Sequence, residues 1–181
     1  MILRITLIVL SYSIIIFATE EFDKLPKSLQ KEVNKVFKSD ILLLNQIDTY
    51  QIQDTIQYFL IYKILDNKNL LGYSYLSRVN SCRSEGCSFN IIQEKKSFEY
   101  FDYFVILDTS LNIKKVNVNN YQATHGQEIC SKSWLKQFIS KNSESTIKYG
   151  KNIDAISGAT VSANNMVIDI KNKLRLLKKK L

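Results

Sequence analysis

Two pairs of β-type segments, each pair joined by a short Asp/Asn turn, constrain this chain more than any other feature. Residues 52–62, continued by Ile64 and Leu65, run into Asp66-Asn67-Lys68-Asn69 and then into residues 70–79. Residues 99–107 (Glu-Tyr-Phe-Asp-Tyr-Phe-Val-Ile-Leu) run into Asp108-Thr109-Ser110-Leu111-Asn112 and then into residues 113–119. Apolar β-formers broken by turn residues read as antiparallel hairpins. In the last segment Ile113 faces away from Val116 and Val118 unless a bulge intervenes, because side chains alternate with period two. Helical spacing supplies cover for such strands. Leu25, Leu29, Val33 and Val36 recur at that spacing over residues 25–37, with Pro26 suited to the first turn. Met166, Val167, Ile170, Leu174 and Leu177 share one face after Ala163. A shorter helix begins at Ser133, with Trp134 and Phe138 four apart on one face as core residues.

A chain of 181 residues is expected to form a single domain with a real core. The chain has 25 Lys and Arg against 17 Asp and Glu, and part of that excess sits in Lys171, Lys173, Arg175, Lys178, Lys179 and Lys180. Such a tail reads either as a solvated helix end, favoured by the helix dipole, or as a contact for anionic lipid or an acidic partner. No zinc-finger spacing or RNP-type aromatic motif accompanies the charge, so nucleic acid is not the expected partner.

Residues 1–19 have the form of a targeting segment. Arg4 precedes an apolar run too short for a bilayer span, and Ala18 precedes Glu20-Glu21. A signal peptide and an uncleaved N-terminal anchor are both open, and either puts the remainder outside the cytoplasm. In an oxidising compartment Cys82 and Cys87, flanking the polar Arg83-Ser84-Glu85-Gly86, read as a local disulfide, with a free pair as the alternative. Cys130 is then the odd one out, expected to be buried and inert. A metal site would need more ligands than these supply.

The second constraint is residues 154–162, Asp-Ala-Ile-Ser-Gly-Ala-Thr-Val-Ser. Small residues around Gly158 make a tight turn that opens into the last helix. Ser157, Thr160 and Ser162 place hydroxyls where helical N–H groups are unpaired, which is a ready place for a phosphate.

Asp154-x-x-Ser157-Gly158-Ala159-Thr160 resembles the flavinylation motif of the FMN-binding domain family. That family includes FMN-carrying subunits of the Na+-pumping quinone reductase and of the Rnf complex, and extracytoplasmic flavin carriers. The resemblance implies that a flavin transferase joins FMN through its phosphate to Thr160, with Asp154 serving recognition by that transferase. Ser162 stands as a second possible acceptor. Upstream, Tyr121-Gln122-Ala123-Thr124-His125-Gly126 is similar to the family segment that usually reads Glu-Thr-Pro-Gly or Glu-Thr-His-Gly. It implies that Thr124, His125 and Gly126 line the flavin, with Ala123 standing where the family has Glu. Tyr73 and Tyr75 lie in a Gly-Tyr strand of family type and are expected to pack rather than to touch the ring. His125 is the single histidine and reads either as a structural residue or as one that tunes the flavin.

The segments and the resemblance together imply an α+β fold. A twisted antiparallel sheet carries packed helices, and the flavin sits at the turn before the C-terminal helix. Residues 1–19 are the signal or anchor, 20–69 an N-terminal helix and strand region, and 70–181 the FMN-binding domain. No Ser-His-Asp set and no nicotinamide fingerprint appears. The implied function is an extracytoplasmic electron carrier or redox subunit with covalent FMN, rather than a complete enzyme. Its partners would be the transferase and a membrane or extracytoplasmic redox protein. The alternative is a secreted or anchored binding module of the same fold without covalent flavin.

Overall fold

The computed structural model describes residues 25–39, 42–52, 57–83 and 98–181. Five strands follow one another in space as in sequence: β1 (Leu42–Ile52), β2 (Gln57–Asp66), β3 (Asn69–Arg83), β4 (Phe98–Asp108) and β5 (Ile113–Tyr121), each antiparallel to its neighbour. Among the described residues three α-helices accompany them: α1 (Lys27–Phe37), the short α2 (Lys132–Leu135) and α3 (Thr160–Lys180). The architecture is α+β, as expected, with helices on both faces of an open sheet.

The two faces have separate cores. Toward α1, Leu60, Tyr62 and Ile64 of β2, Leu76 of β3 and Phe104 and Ile106 of β4 pack with Leu29 and Val33. Toward α3, Phe59, Ile61, Tyr75, Tyr103, Val105 and Leu107 pack with Met166, Ile170, Leu174 and Leu177. Burial on both faces is why β4 reads as a nearly unbroken apolar run. Each of Leu29 and Val33 is fully buried, worth about 1.5–3 kcal/mol apiece by apolar transfer. Tyr73 and Tyr75 are core residues. The Tyr75 ring lies edge-on to Phe59 and Tyr103, with centroids 5.3 and 6.0 Å away.

Of the two readings open for Ile113, the bulge is the one present. Leu107 pairs with Ile113 but Ile106 pairs with Lys115, so Lys114 is the extra residue. Ile113 and Val116 therefore share the α3 face, both buried, while Lys115 turns to α1 and meets Glu32 at 3.3 Å. The turn before it is held by the Asp108 carboxylate, which accepts from the Ser110 and Asn112 N–H groups at 3.0 and 2.9 Å.

Four readings change. The run expected from 52 through Leu65 is β2, Gln57–Asp66, with Ile52 instead ending β1, which was not anticipated. β1 is an edge strand whose register slips between Gln46 and Asp48, which destroys its alternation. β3 runs on to Arg83, so Cys82 lies in a strand rather than a loop. Its side chain and all of Cys87 lie outside the described residues, as do residues 1–19. Cys130 is exposed rather than buried. Partial cover of its sulfur, and then Glu128, push the thiol above its ordinary pKa.

Lys173 is the fourth. It belongs to the core rather than to the solvated basic face. Its ammonium lies 2.5 Å from Asp169 Oδ1 and 5.0 Å over the Phe59 ring. Asp169 also accepts from Tyr103 at 2.6 Å and Ser77 at 2.8 Å. Burial and the Asp169 charge hold the Tyr103 phenol well above its ordinary value. No helix among the described residues is long and apolar enough to cross a membrane.

Candidate functional site

The two segments singled out in the sequence meet at the start of α3. Gly158 has φ +81°, a left-handed turn that a side chain disfavours. It sends the chain into Ala159, which caps the helix without a side-chain hydrogen bond, and Thr160 is the first helical residue. Asp154, Ser157, Gly158 and Thr160 are exposed, whereas Ala159 and Ser162 are buried. The helical ladder begins with Ala163 N–H on the Ala159 carbonyl at 2.9 Å, so the preceding N–H groups have no intrahelical partner.

The loop after β5 is locked to this helix start. Tyr121 donates to the His125 carbonyl at 2.5 Å, and its oxygen lies 3.2 Å from Ser162 Oγ. Ser162 Oγ is in turn 2.6 Å from Ser81 Oγ at the end of β3. Burial raises the Tyr121 phenol above its usual value. Its ring stacks on Phe101 at 5.7 Å. Gly126, at φ +94°, fits between them: a Cβ there would stand 2.8 Å from the Tyr121 hydroxyl and 2.9 Å from Ser162 Oγ. Gly126 is buried, Thr124 and His125 are exposed, and Ala123 is buried. Thr124 is fixed from β4, because its N–H donates to Glu99 Oε2 at 2.9 Å and its hydroxyl donates to Glu99 Oε1. These bonds, and then the nearness of His125, hold the Glu99 carboxyl below its ordinary pKa.

The 154–160 turn is held from its other side. Trp134 Nε1 donates to the Asp154 carbonyl at 2.9 Å, and Asp154 N–H donates to Gln137 Oε1 at 2.9 Å. Ile156 N–H donates to the Tyr149 hydroxyl at 3.1 Å. Trp134 packs edge-on to Phe138 with centroids 5.3 Å apart, as their spacing implies.

Ser81, Glu99, Gln137 and Tyr149 were not anticipated. Ser81, Glu99 and Gln137 act on segments 81, 25 and 17 residues away, whereas Tyr149 reaches seven residues along its own connection. The residues that were anticipated, Thr124, His125, Gly126, Asp154, Ser157, Gly158, Ala159, Thr160 and Ser162, lie in the loop after β5 and in the turn and first residues of α3, joined through Tyr121, Ser162 and Gly126. Among the described residues no group of three or more His, Cys, Asp or Glu side chains is arranged to hold a metal ion.

This donor set fits a phosphate ester. A helix start with unpaired N–H groups favours an anion, and an exposed hydroxyl stands on its first residue. Glu128 Oε1 lies 4.0 Å from where a Cβ at Gly158 would stand. No curated protein matches the chain. The family model of the FMN-binding domain matches residues 101–175, from β4 into α3, and so spans both loops. That segment belongs to the FMN-binding domain family, and FMN is its cofactor.

Proposed function

We propose that this protein carries its FMN covalently, as a phosphoester of Thr160, and acts outside the cytoplasm as an electron carrier or redox subunit. One observation carries the choice of residue. Thr160 is exposed at the first position of α3, while Ser162 is 2% exposed and its hydroxyl is engaged with Ser81 and Tyr121. An incoming flavin phosphate can reach the first hydroxyl without dismantling a contact.

FMN supplies the redox chemistry. The chain's part is to bind, orient and shield. The α3 N-terminus would neutralise the phosphate, and Gly158 lets the backbone turn beneath it. Thr124, His125 and Gly126 form the neighbouring wall, and His125 is the group there able to hold or move a proton. The export reading rests on the form of residues 1–19, and a covalent link makes sense where a dissociated FMN would be lost. The maturation partner is a flavin transferase, and the redox partner is membrane-bound or extracytoplasmic. A role for the basic helix at an anionic membrane draws on fewer charges than the sequence offers. Lys173 is buried against Asp169, and Lys178 and Lys180 pair with Glu144 and Asp48.

Intact mass of the exported protein, co-expressed with a flavin transferase, tests the proposal. We expect an increase of FMN less one water in the wild type and in Ser162→Ala, and none in Thr160→Ala. An increase that survives Thr160→Ala moves the link elsewhere. None in any form, with the transferase active on a control protein, favours the binding module without covalent flavin.

A further inference from the structure

Three side chains outside the acceptor turn hydrogen-bond to its backbone, Tyr149 twice, since its hydroxyl also lies 3.5 Å from the Ile156 carbonyl. The Trp134 indole holds the Asp154 carbonyl, the Gln137 amide oxygen holds the Asp154 N–H, and the Tyr149 hydroxyl holds the Ile156 N–H. The turn closes on itself further along, where Ala159 N–H donates to the Ile156 carbonyl at 3.3 Å. The side chains of Asp154, Ser157 and Thr160 nonetheless all stand exposed. A backbone held in this way presents those polar side chains at fixed positions.

We infer that Trp134, Gln137 and Tyr149 are positioning residues that hold residues 154–160 as a preformed docking surface for the enzyme that modifies Thr160. The inference rests on the covalent reading above. Its physical basis is entropic. Ordering a loose segment costs backbone freedom at every residue, and a surface ordered before the encounter avoids that cost at binding. The enzyme meets a carboxylate at Asp154 and a hydroxyl at Thr160 held at a set separation. The transfer forms the Thr160 Oγ–P bond. It breaks the phosphoanhydride of an activated flavin, of the flavin adenine dinucleotide class. The nucleoside monophosphate leaves, the hydroxyl proton passes to solvent, and nothing is oxidised or reduced.

The test uses the full chain with a flavin transferase and flavin adenine dinucleotide, following the rate of FMN addition by mass. Gln137→Met keeps the side-chain length and removes the acceptor. Tyr149→Phe removes one hydroxyl. Gln137→Glu keeps an acceptor for the Asp154 N–H. Amide exchange at Asp154 and Ile156 in the unmodified protein reads the clamp independently of any activity. We expect Gln137→Met and Tyr149→Phe each to lower kcat/KM for transfer by roughly three- to tenfold. Exchange should quicken at the amide concerned, and Gln137→Glu should stay near wild type. Faster exchange with an unchanged transfer rate would overturn the inference and leave the covalent reading standing. A wild type that takes up no FMN from a transferase active on a control protein would overturn both, so the wild-type mass separates the two failures.

Discussion

The hydroxyl of Tyr121, the last residue of β5, lies 3.2 Å from that of Ser162 in the first turn of α3. This contact ties the sheet edge and the His125 loop to the helix that begins at Thr160. Ser162 also reaches Ser81, so three hydroxyls from three elements form one chain behind the acceptor.

Removing the Tyr121 hydroxyl should loosen that junction without emptying the core, because the ring still stacks on Phe101. Tyr121→Phe is expected to cost about 0.5–1.5 kcal/mol, read by urea denaturation. Gly126→Ala should cost more. It adds a Cβ 2.8 Å from the same hydroxyl and holds a non-glycine residue at φ +94°, a strain of about 1–3 kcal/mol by itself. If both variants matched the wild type, the loop would not be locked to α3.

Acid should release the Thr124 loop. Glu99 accepts two bonds from Thr124 and has its carboxyl pKa lowered in the folded state. A lowered folded value means that the stabilisation is present above the ordinary glutamate range. It is lost as pH falls through the folded value. The Thr124 amide signal, followed by NMR, should shift with a midpoint below the ordinary glutamate value of about 4.3. The shift should vanish in Glu99→Gln. A midpoint at or above that value would contradict the contact.

Lys173→Met leaves Asp169 buried beside two hydroxyl donors without its cation. The expected loss is about 3–5 kcal/mol, measured by urea unfolding. The double variant Lys173→Met with Asp169→Asn should recover part of that loss, because no charge is then left uncompensated. A Lys173→Met protein as stable as wild type would show the lysine to be solvated.

Leu29→Ala tests the independence of the two faces. Leu29 is fully buried in the α1 core, across the sheet from the site. Truncation should cost about 2–5 kcal/mol by thermal or urea unfolding. FMN uptake per folded molecule should stay unchanged. A parallel fall in uptake would mean that the faces are coupled.

The sequence by itself determined the antiparallel hairpins, the apolar faces of α1 and α3 and the turn that opens α3. Each is written in local chemistry: Asp and Asn at turns, alternation along strands, apolar residues at helical spacing, Gly158 before a helix start. The phase of Ile113 against Val116 left two readings open, a residue facing away or a bulge, and pairing with β4 decided for the bulge at Lys114. Tertiary structure alone decided which polar side chains meet. Ser81 with Ser162, Glu99 with Thr124 and Gln137 with Asp154 join segments far apart in the chain. Lys173 looked like one more surface cation until Asp169 and the Phe59 ring gave it a buried place. The edge strand β1 hid for a related reason, since its bulge breaks the alternation and only pairing with β2 orders it. A repeating pattern reports which face of an element is apolar. A single hydrogen bond between distant residues has no period, and only the packed chain brings its two ends within reach.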